Sequence, residues 1–186
     1  MNKYYEMKIG NVTRALPICR VTDDLYIGAF VIIGDQELTV EAAKELLKVA
    51  PEYDYIITAE AKGIPLAHEM ARQRGDRTYF CARKHAKAYM KDAFEVKVRS
   101  ITTNFEQSLF IDSSEAEMIR GKRILLVDDV ISTGESIAAV ETLVKEAGGN
   151  IAGIMTILAE GDAQNREDII YLEKLPLFNK DGEIIG

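Results

Sequence analysis

The chain has 186 residues, 47% of them hydrophobic and 28% charged, which is typical of a globular protein with one core. Its 23 basic and 30 acidic residues give a formal charge of −7, which argues against nucleic-acid binding because that function needs a broad basic face. We find neither a signal peptide nor an apolar run near the roughly 20 residues of a membrane span, and therefore expect a cytoplasmic protein. Cys19 and Cys81 lack metal-binding spacing and are expected to be buried free thiols.

The first part of the chain alternates apolar strands with amphipathic helices. Residues 26–33 are apolar and predict a strand, and residues 38–49 have helical spacing with Thr39 as the N-cap. A short strand is predicted over residues 54–58, followed by a helix over 64–74 with a proline in its first turn. This alternation is typical of a sheet covered by helices.

The second part continues the pattern around one polar interruption. The predicted elements are a strand at 78–82, a basic loop or mobile hairpin at 83–103, a returning strand at 105–111, a strand at 123–127, a helix at 136–147 and a strand at 151–158. Several strands are apolar on both faces, which favours a doubly wound α/β fold: a mainly parallel sheet with helices on both faces. We expect a single domain over 1–186, with its core at about 35–160 and the C-terminal tail packed at one end of the sheet.

The most informative segment runs from residue 123 to 138, RILLVDDVISTGESIA. An apolar strand leads into Asp128 and Asp129, and a turn rich in hydroxyl groups then opens a helix. Such a turn presents backbone N–H groups at the positive end of a helix dipole and suits a phosphate. The carboxylates suit ribose hydroxyls or a shared Mg²⁺. Ordinary loop chemistry is the alternative. The segment contains neither a Walker A loop nor a GxGxxG motif.

The run VDDVISTGES resembles the phosphoribosyl pyrophosphate signature of type I phosphoribosyltransferases. The resemblance implies that Asp128 and Asp129 bind the ribose hydroxyls, at an exposed strand end. It also implies a loop for the 5′-phosphate, consisting of Ser132, Thr133, Gly134, Glu135 and Ser136.

Two further segments follow the order of that family. The turn after the second predicted strand resembles its pyrophosphate loop and contains Glu60, Ala61, Lys62 and Gly63, although a turn of this kind often has only a structural role. The run 83–91 carries four Lys or Arg residues and no acid, and resembles the family's flexible lid; a solvated basic loop is the alternative. The lid residues are Arg83, Lys84, His85, Lys87 and Lys91.

The acceptor is predicted from weaker features. The runs ARKHAK and KGIPLA resemble orotate enzymes, but Ala138 stands where those enzymes carry an arginine. TAEAKG, DDVISTGES and the chain length resemble adenine phosphoribosyltransferases, and the length and EAKG also resemble xanthine enzymes. Glu106 is a candidate for the glutamate that lies near the base in adenine enzymes. The N-terminal segment and the C-terminal tail are expected to form a small hood over the acceptor.

The resemblance therefore implies transfer of the 5-phosphoribosyl group to a purine, first of all adenine, with release of pyrophosphate. Xanthine, hypoxanthine or guanine, and orotate are the alternative acceptors. Mg²⁺ is the implied cofactor, held through the substrate and the aspartate pair, and Asp128, Asp129, Lys62 and Glu106 are the implied catalytic residues. The family also implies a homodimer without nucleic-acid or membrane partners. A non-catalytic regulator that senses phosphoribosyl pyrophosphate is the competing interpretation.

Overall fold

A five-stranded parallel sheet forms the centre of the computed structural model, which describes residues 4–90, 92–99 and 106–185. Its strand order is β10-β9-β8-β4-β5, and every neighbouring pair runs parallel. The strands are β4 (Tyr55–Ala59), β5 (Phe80–Ala82), β8 (Arg123–Ile131), β9 (Asn150–Glu160) and β10 (Ile170–Leu175). The predicted α/β fold with a mainly parallel sheet is confirmed. Strand β10 comes from the C-terminal tail and extends one edge of the sheet.

Helices cover both faces of this sheet because its strands are apolar on both sides. They are α1 (Gln36–Val49), α2 (Ile64–Arg74), α3 (Ser113–Ile119) and α4 (Glu135–Glu146). In β8, Leu125 and Val127 pack with α1 and α2, whereas Ile124 and Leu126 pack with α3 and α4. Successive side chains of a strand point to opposite faces, so one apolar run supplies both halves of the core. No helix in the described ranges is long and apolar enough to cross a membrane.

A second, antiparallel sheet has the strand order β1-β2-β3-β11. Its strands are β1 (Tyr4–Ile9), β2 (Val12–Arg20), β3 (Tyr26–Gly28) and β11 (Leu177–Phe178). The prediction of one strand over 26–33 is wrong, because only its first three residues pair, with β2 and β11, and the rest is irregular. The sequence did not reveal the hairpin of β1 and β2, which occupies residues ahead of the first predicted strand.

Two local predictions also need correction. Helix α1 is capped by Asp35, whose carboxylate accepts a hydrogen bond from the Leu38 amide, and not by Thr39. Thr39 lies inside the helix, and its hydroxyl donates to the Asp35 carbonyl at 2.7 Å. Cys81 is buried as expected, whereas Cys19 is exposed.

The segment predicted as a basic loop or mobile hairpin, residues 83–103, contributes the first strand of an antiparallel hairpin. Strand β6 (Ala93–Arg99) pairs with β7 (Glu106–Asp112) along its length. The connection between the two strands, residues 100–105, lies outside the described residues. Residues 83–90, which precede the hairpin, form a loop that leaves the carboxyl end of β5 and returns beside the site described next.

Candidate functional site

The carboxyl ends of β4 and β8 bring together two segments that are far apart in sequence. The strands are adjacent and parallel, with Ile57 opposite Leu126. The turn at 60–63 follows β4, and the turn at 132–134 follows β8. Ligands of open α/β sheets bind at this edge, because the loops there converge and helices begin there. The predicted phosphate-binding segments therefore share one location.

The turn after β8 encloses a small pocket of about 50 Å³. Its walls are Asp128, Val130, Ile131, Ser132, Thr133, Gly134, Ser136 and Ile137. Gly134 has a left-handed backbone with φ of 78° and caps α4, which begins at Glu135, one residue before the predicted start. Gly134 has no side chain with which to cap the helix, and among the described residues only the Thr133 hydroxyl accepts a first-turn amide hydrogen, that of Glu135, at 3.5 Å. The geometry suits a tetrahedral anion.

The aspartate pair lies within β8 and not at an exposed strand end. The strand continues to Ile131, and Asp129 is only 2% exposed. The Asp129 amide donates to Asp128 Oδ1 at 2.9 Å. Burial and then the neighbouring Asp129 carboxylate raise the pKa of Asp128 from 3.8 to about 7. The expectation of exposed acids is therefore wrong, and the pair carries an electrostatic cost in the free protein.

Lys62 offsets part of that cost from the turn after β4. Its ammonium Nζ lies 3.4 Å from Asp129 Oδ2, an ion-pair contact without hydrogen-bond geometry, and no other described residue hydrogen-bonds that oxygen. A side chain at Gly63 would collide with the Thr58 hydroxyl and would reach within 3.1 Å of Asp128 Oδ1. A glycine is needed here because the turn packs directly against the acidic strand. The Glu60–Ala61 peptide is cis.

Glu60 holds the basic loop against this turn. Its Oε1 lies 3.7 Å from Arg83 Nη1 and 3.5 Å from Lys87 Nζ, and its Oε2 accepts the Lys84 amide hydrogen at 3.2 Å. The Lys84 amide, with the cations of Lys87 and Arg83, lowers the pKa of Glu60. His85 is exposed to solvent. Three of the predicted lid residues therefore contact the predicted pyrophosphate loop.

Two predicted residues cannot be placed in the site. Lys91 and the side chain of Glu106 lie outside the described residues; the backbone of Glu106 begins β7 opposite Arg99. One residue that the sequence did not point to, Arg166, lies against Gly134. It follows the Gly161–Asn165 turn after β9, and no motif or spacing links it to the phosphate loop.

Mg²⁺ is compatible with the acidic pair. No group of three or more potential metal-binding side chains occurs among the described residues. Mg²⁺ commonly uses one or two carboxylates together with substrate oxygens and water, and does not need an all-protein cage. Asp128 and Asp129, one of them with an oxygen that accepts no hydrogen bond, meet that requirement.

Comparison with known proteins identifies relatives of this chain. The family model described as "Phosphoribosyl transferase domain" matches residues 33–179. A hypoxanthine/guanine phosphoribosyltransferase of Methanotorris igneus is 32% identical over 159 residues, which is 82% of each chain. The enzyme of the same name from Methanococcus voltae is 31% identical over 125 residues, or 67% of this chain and 63% of that one.

The fold is shared with a solved adenine phosphoribosyltransferase from Thermoanaerobacter pseudethanolicus. The TM-score is 0.65 at 24% sequence identity, and the match covers 77% of this chain and 84% of that chain. At this identity the likeness concerns the fold alone. The relatives with higher sequence identity and this structural neighbour thus carry the names of different purine enzymes.

Proposed function

The chain belongs to the phosphoribosyltransferase family, and from this premise we propose that it transfers the 5-phosphoribosyl group of phosphoribosyl pyrophosphate to a purine base. The observation that supports the proposal is the order of groups along one sheet edge: an anion-sized pocket, an acidic pair and a basic cluster. The substrate has a phosphate, a diol and a diphosphate in that order. The bond from C1′ to pyrophosphate breaks, and a bond from C1′ to a purine ring nitrogen forms.

The 5′-phosphate and the ribose occupy the β8 side of the site in this proposal. Backbone N–H groups of the turn at 132–136 donate to the phosphate oxygens, with the positive end of the α4 dipole behind them. The carboxylates of Asp128 and Asp129 accept hydrogen bonds from the two ribose hydroxyls. These contacts fix C1′ relative to the incoming base, which lowers the entropic part of the barrier.

The diphosphate occupies the β4 side. Lys62, Arg83 and Lys87 stabilise the negative charge that grows on the departing pyrophosphate. When bound, Mg²⁺ would supply further neutralisation of that charge, with Asp128 and Asp129 as its protein ligands. The side chains of the basic loop also exclude water from C1′ when they cover the site, which protects the reacting centre from hydrolysis.

Adenine is the proposed acceptor, on the similarity of TAEAKG and DDVISTGES to adenine enzymes. Hypoxanthine or guanine is the second candidate, because the relatives at 31–32% identity are named hypoxanthine/guanine phosphoribosyltransferases. Both proposals share the phosphoribosyl half of the site and differ only in the groups that face the base.

The test is pyrophosphate release in the presence of Mg²⁺, phosphoribosyl pyrophosphate and, separately, adenine, hypoxanthine, guanine, xanthine, uracil and orotate. We expect release with purines only, and loss of release in the double variant Asp128→Asn, Asp129→Asn. Release with hypoxanthine or guanine but not adenine supports the second candidate. Binding of phosphoribosyl pyrophosphate without release for any base would overturn the enzymatic proposal in favour of a sensor.

A further inference from the structure

The guanidinium of Arg166 is held in a fixed orientation by Asp168. Its Nε donates to Asp168 Oδ1 at 2.9 Å, and its Nη2 donates to Asp168 Oδ2 at 2.6 Å. A bidentate pair of this kind fixes the plane of the guanidinium as well as its position. The two hydrogen bonds to Asp168 therefore also fix the position of the third guanidinium nitrogen, Nη1.

Nη1 is directed at the phosphate loop. A methyl group placed on Gly134 would lie 2.5 Å from Nη1, so this nitrogen is in contact with the backbone of the residue that caps α4. Within residues 4–90, 92–99 and 106–185, no acceptor forms a hydrogen bond with Nη1. Two N–H donors are thus available at the turn that encloses the anion-sized pocket.

The electrostatics of this position also call for an anion. The amino-terminal end of α4 carries a partial positive charge, and a guanidinium beside it is repelled unless negative charge is nearby. Asp168 neutralises Arg166 from one side, Glu141 of α4 contributes a weaker attraction, and Glu135 places a further carboxylate in the first turn of α4. The side chain of Arg166 is only 29% exposed, so water screens this repulsion incompletely.

We propose that Arg166 is a direct ligand of the 5′-phosphate, with Nη1 donating to a phosphate oxygen that the backbone of the turn at 132–136 also holds. This inference rests on the proposed function, because it assigns one more residue to the phosphate half of that site. Asp168 is then a positioning residue, which acts through Arg166 and does not touch the substrate.

The experiment compares two ligands that fill different halves of the site. Isothermal titration calorimetry with ribose 5-phosphate reports on the phosphate loop, and titration with pyrophosphate reports on the basic cluster. For Arg166→Gln we expect the affinity for ribose 5-phosphate to fall about tenfold or more and the affinity for pyrophosphate to stay within about twofold. Arg166→Lys keeps the charge and should recover part of the loss.

Two further variants separate binding from folding. Asp168→Asn removes the positioning contact but leaves the guanidinium, so the loss of ribose 5-phosphate affinity should be smaller than in Arg166→Gln, while thermal stability falls equally. Arg20→Gln makes the same charge change in the antiparallel sheet, where Arg20 pairs with Asp23, and should leave both affinities unchanged.

Equal losses for both ligands, or none for ribose 5-phosphate, would overturn the role of Arg166. This result is distinguishable from failure of the proposed function. If the wild-type protein forms a nucleotide from phosphoribosyl pyrophosphate and a purine while Arg166→Gln binds ribose 5-phosphate normally, only the role of Arg166 fails. If the wild-type protein binds neither ligand, the proposed function fails as well.

Discussion

The two halves of the site are built in different ways. The β8 half is largely a backbone structure, in which the left-handed Gly134 and the amino-terminal end of α4 form a small pocket. The β4 half is made of charged side chains that are already paired with acids, Lys62 with Asp129 and both Arg83 and Lys87 with Glu60. A ligand enters the first half without displacing an ion pair, whereas in the second it must compete with carboxylates.

This difference predicts different physical behaviour for the two ligand groups. Binding to oriented backbone dipoles requires little reorganisation, because the donors are fixed by the helix and the turn. Exchange of partly exposed ion pairs is sensitive to ionic strength, since charges near the surface are screened over about 10 Å at 0.1 M salt. We therefore expect pyrophosphate affinity to fall more steeply with salt than ribose 5-phosphate affinity, and the following variants sharpen the contrast.

The largest effect is expected for Gly134→Ala. The left-handed backbone costs a non-glycine residue about 1–2 kcal/mol, and the new methyl group would also collide with Arg166 Nη1. The turn must therefore change shape to accept the methyl group, and its donors move away from the phosphate. Affinity for ribose 5-phosphate should fall by roughly a hundredfold, on the scale where 1.4 kcal/mol is tenfold, while pyrophosphate still binds. Calorimetric titration measures both.

Gly75→Ala is the matched control for that variant. Gly75 ends α2 with a φ of 84°, but nothing lies within 4 Å of an added methyl group. It should cost stability of about 1–2 kcal/mol and leave both affinities intact. If Gly134→Ala changes ribose 5-phosphate affinity no more than Gly75→Ala does, binding of ribose 5-phosphate does not depend on the backbone shape of the turn at 132–136.

The next effect is expected for Lys62→Gln. The variant removes the cation next to Asp129, and we expect pyrophosphate affinity to fall about tenfold because a charge-assisted contact is lost. Affinity for ribose 5-phosphate should remain within about twofold. Lys145→Gln, which removes a lysine paired with Glu141 on α4, is the control for the change in charge. An equal loss in both variants would contradict a local role of Lys62.

Glu60→Gln is expected to raise pyrophosphate affinity, by less than Lys62→Gln lowers it. Loss of the carboxylate frees Arg83 and Lys87, whereas the glutamine carbonyl oxygen can still accept the Lys84 amide hydrogen. These side chains are 25–34% exposed, so water still screens their ion pairs, and pairs of this kind are worth about 1 kcal/mol or less. Pyrophosphate affinity should therefore rise about threefold at low salt. Glu52→Gln, which removes one of the two acidic partners of Arg123 at the opposite end of the sheet, should have no effect. Weaker pyrophosphate binding by Glu60→Gln would show that Glu60 does not compete with the ligand.

Asp128 lies between the two halves of the site, and its effect is measured through thermal stability. We expect Asp128→Asn to change Tm by a few degrees. The raised pKa of Asp128 means that the folded protein holds a proton that the unfolded chain has lost. Stability is therefore lost as pH rises from about 4 through about 7, and the penalty is complete above that range. Asp128→Asn removes it, so the variant should gain Tm relative to wild type between about pH 5 and pH 8.

Asp24→Asn is the control for this pH series, since Asp24 is an exposed residue outside the site. A gain in Tm that appears in Asp128→Asn and not in Asp24→Asn is specific to the acidic pair. A parallel course of the wild-type and Asp128→Asn curves from about pH 5 to pH 8 would show that Asp128 titrates normally.

The sequence predicted the elements whose stabilising contacts are local or apolar. Helix α2 has the predicted bounds, because Pro65 suits its first turn and Gly75 terminates it in a left-handed conformation. Strand β8 follows from a continuous apolar run. The start of α1 was wrong because Asp35 and Thr39 are both good N-cap residues, and only the structure shows which side chain accepts from the helix amides.

The unpredicted features depend on contacts between distant residues. The burial of Asp129 requires β8 to continue past the acids, which the polar sequence does not indicate. The pairing of Glu60 with Arg83 and Lys87 joins two loops that each resemble a separate family segment. The contact of Arg166 with Gly134 connects regions without any shared pattern. In the first two cases a motif indicated the kind of chemistry, whereas in all three the tertiary fold determines which charges meet.

The antiparallel sheet has a consequence for the order of folding. Tyr26 pairs with Phe178 and Ile27 with Leu177, so β3 can be completed only after the intervening chain has been brought together. The entropy cost of closing so long a loop is lowest when the parallel sheet has already shortened the path between its ends. We therefore expect β11 to join last during folding and to separate first during partial unfolding, while the pocket after β8 is still intact.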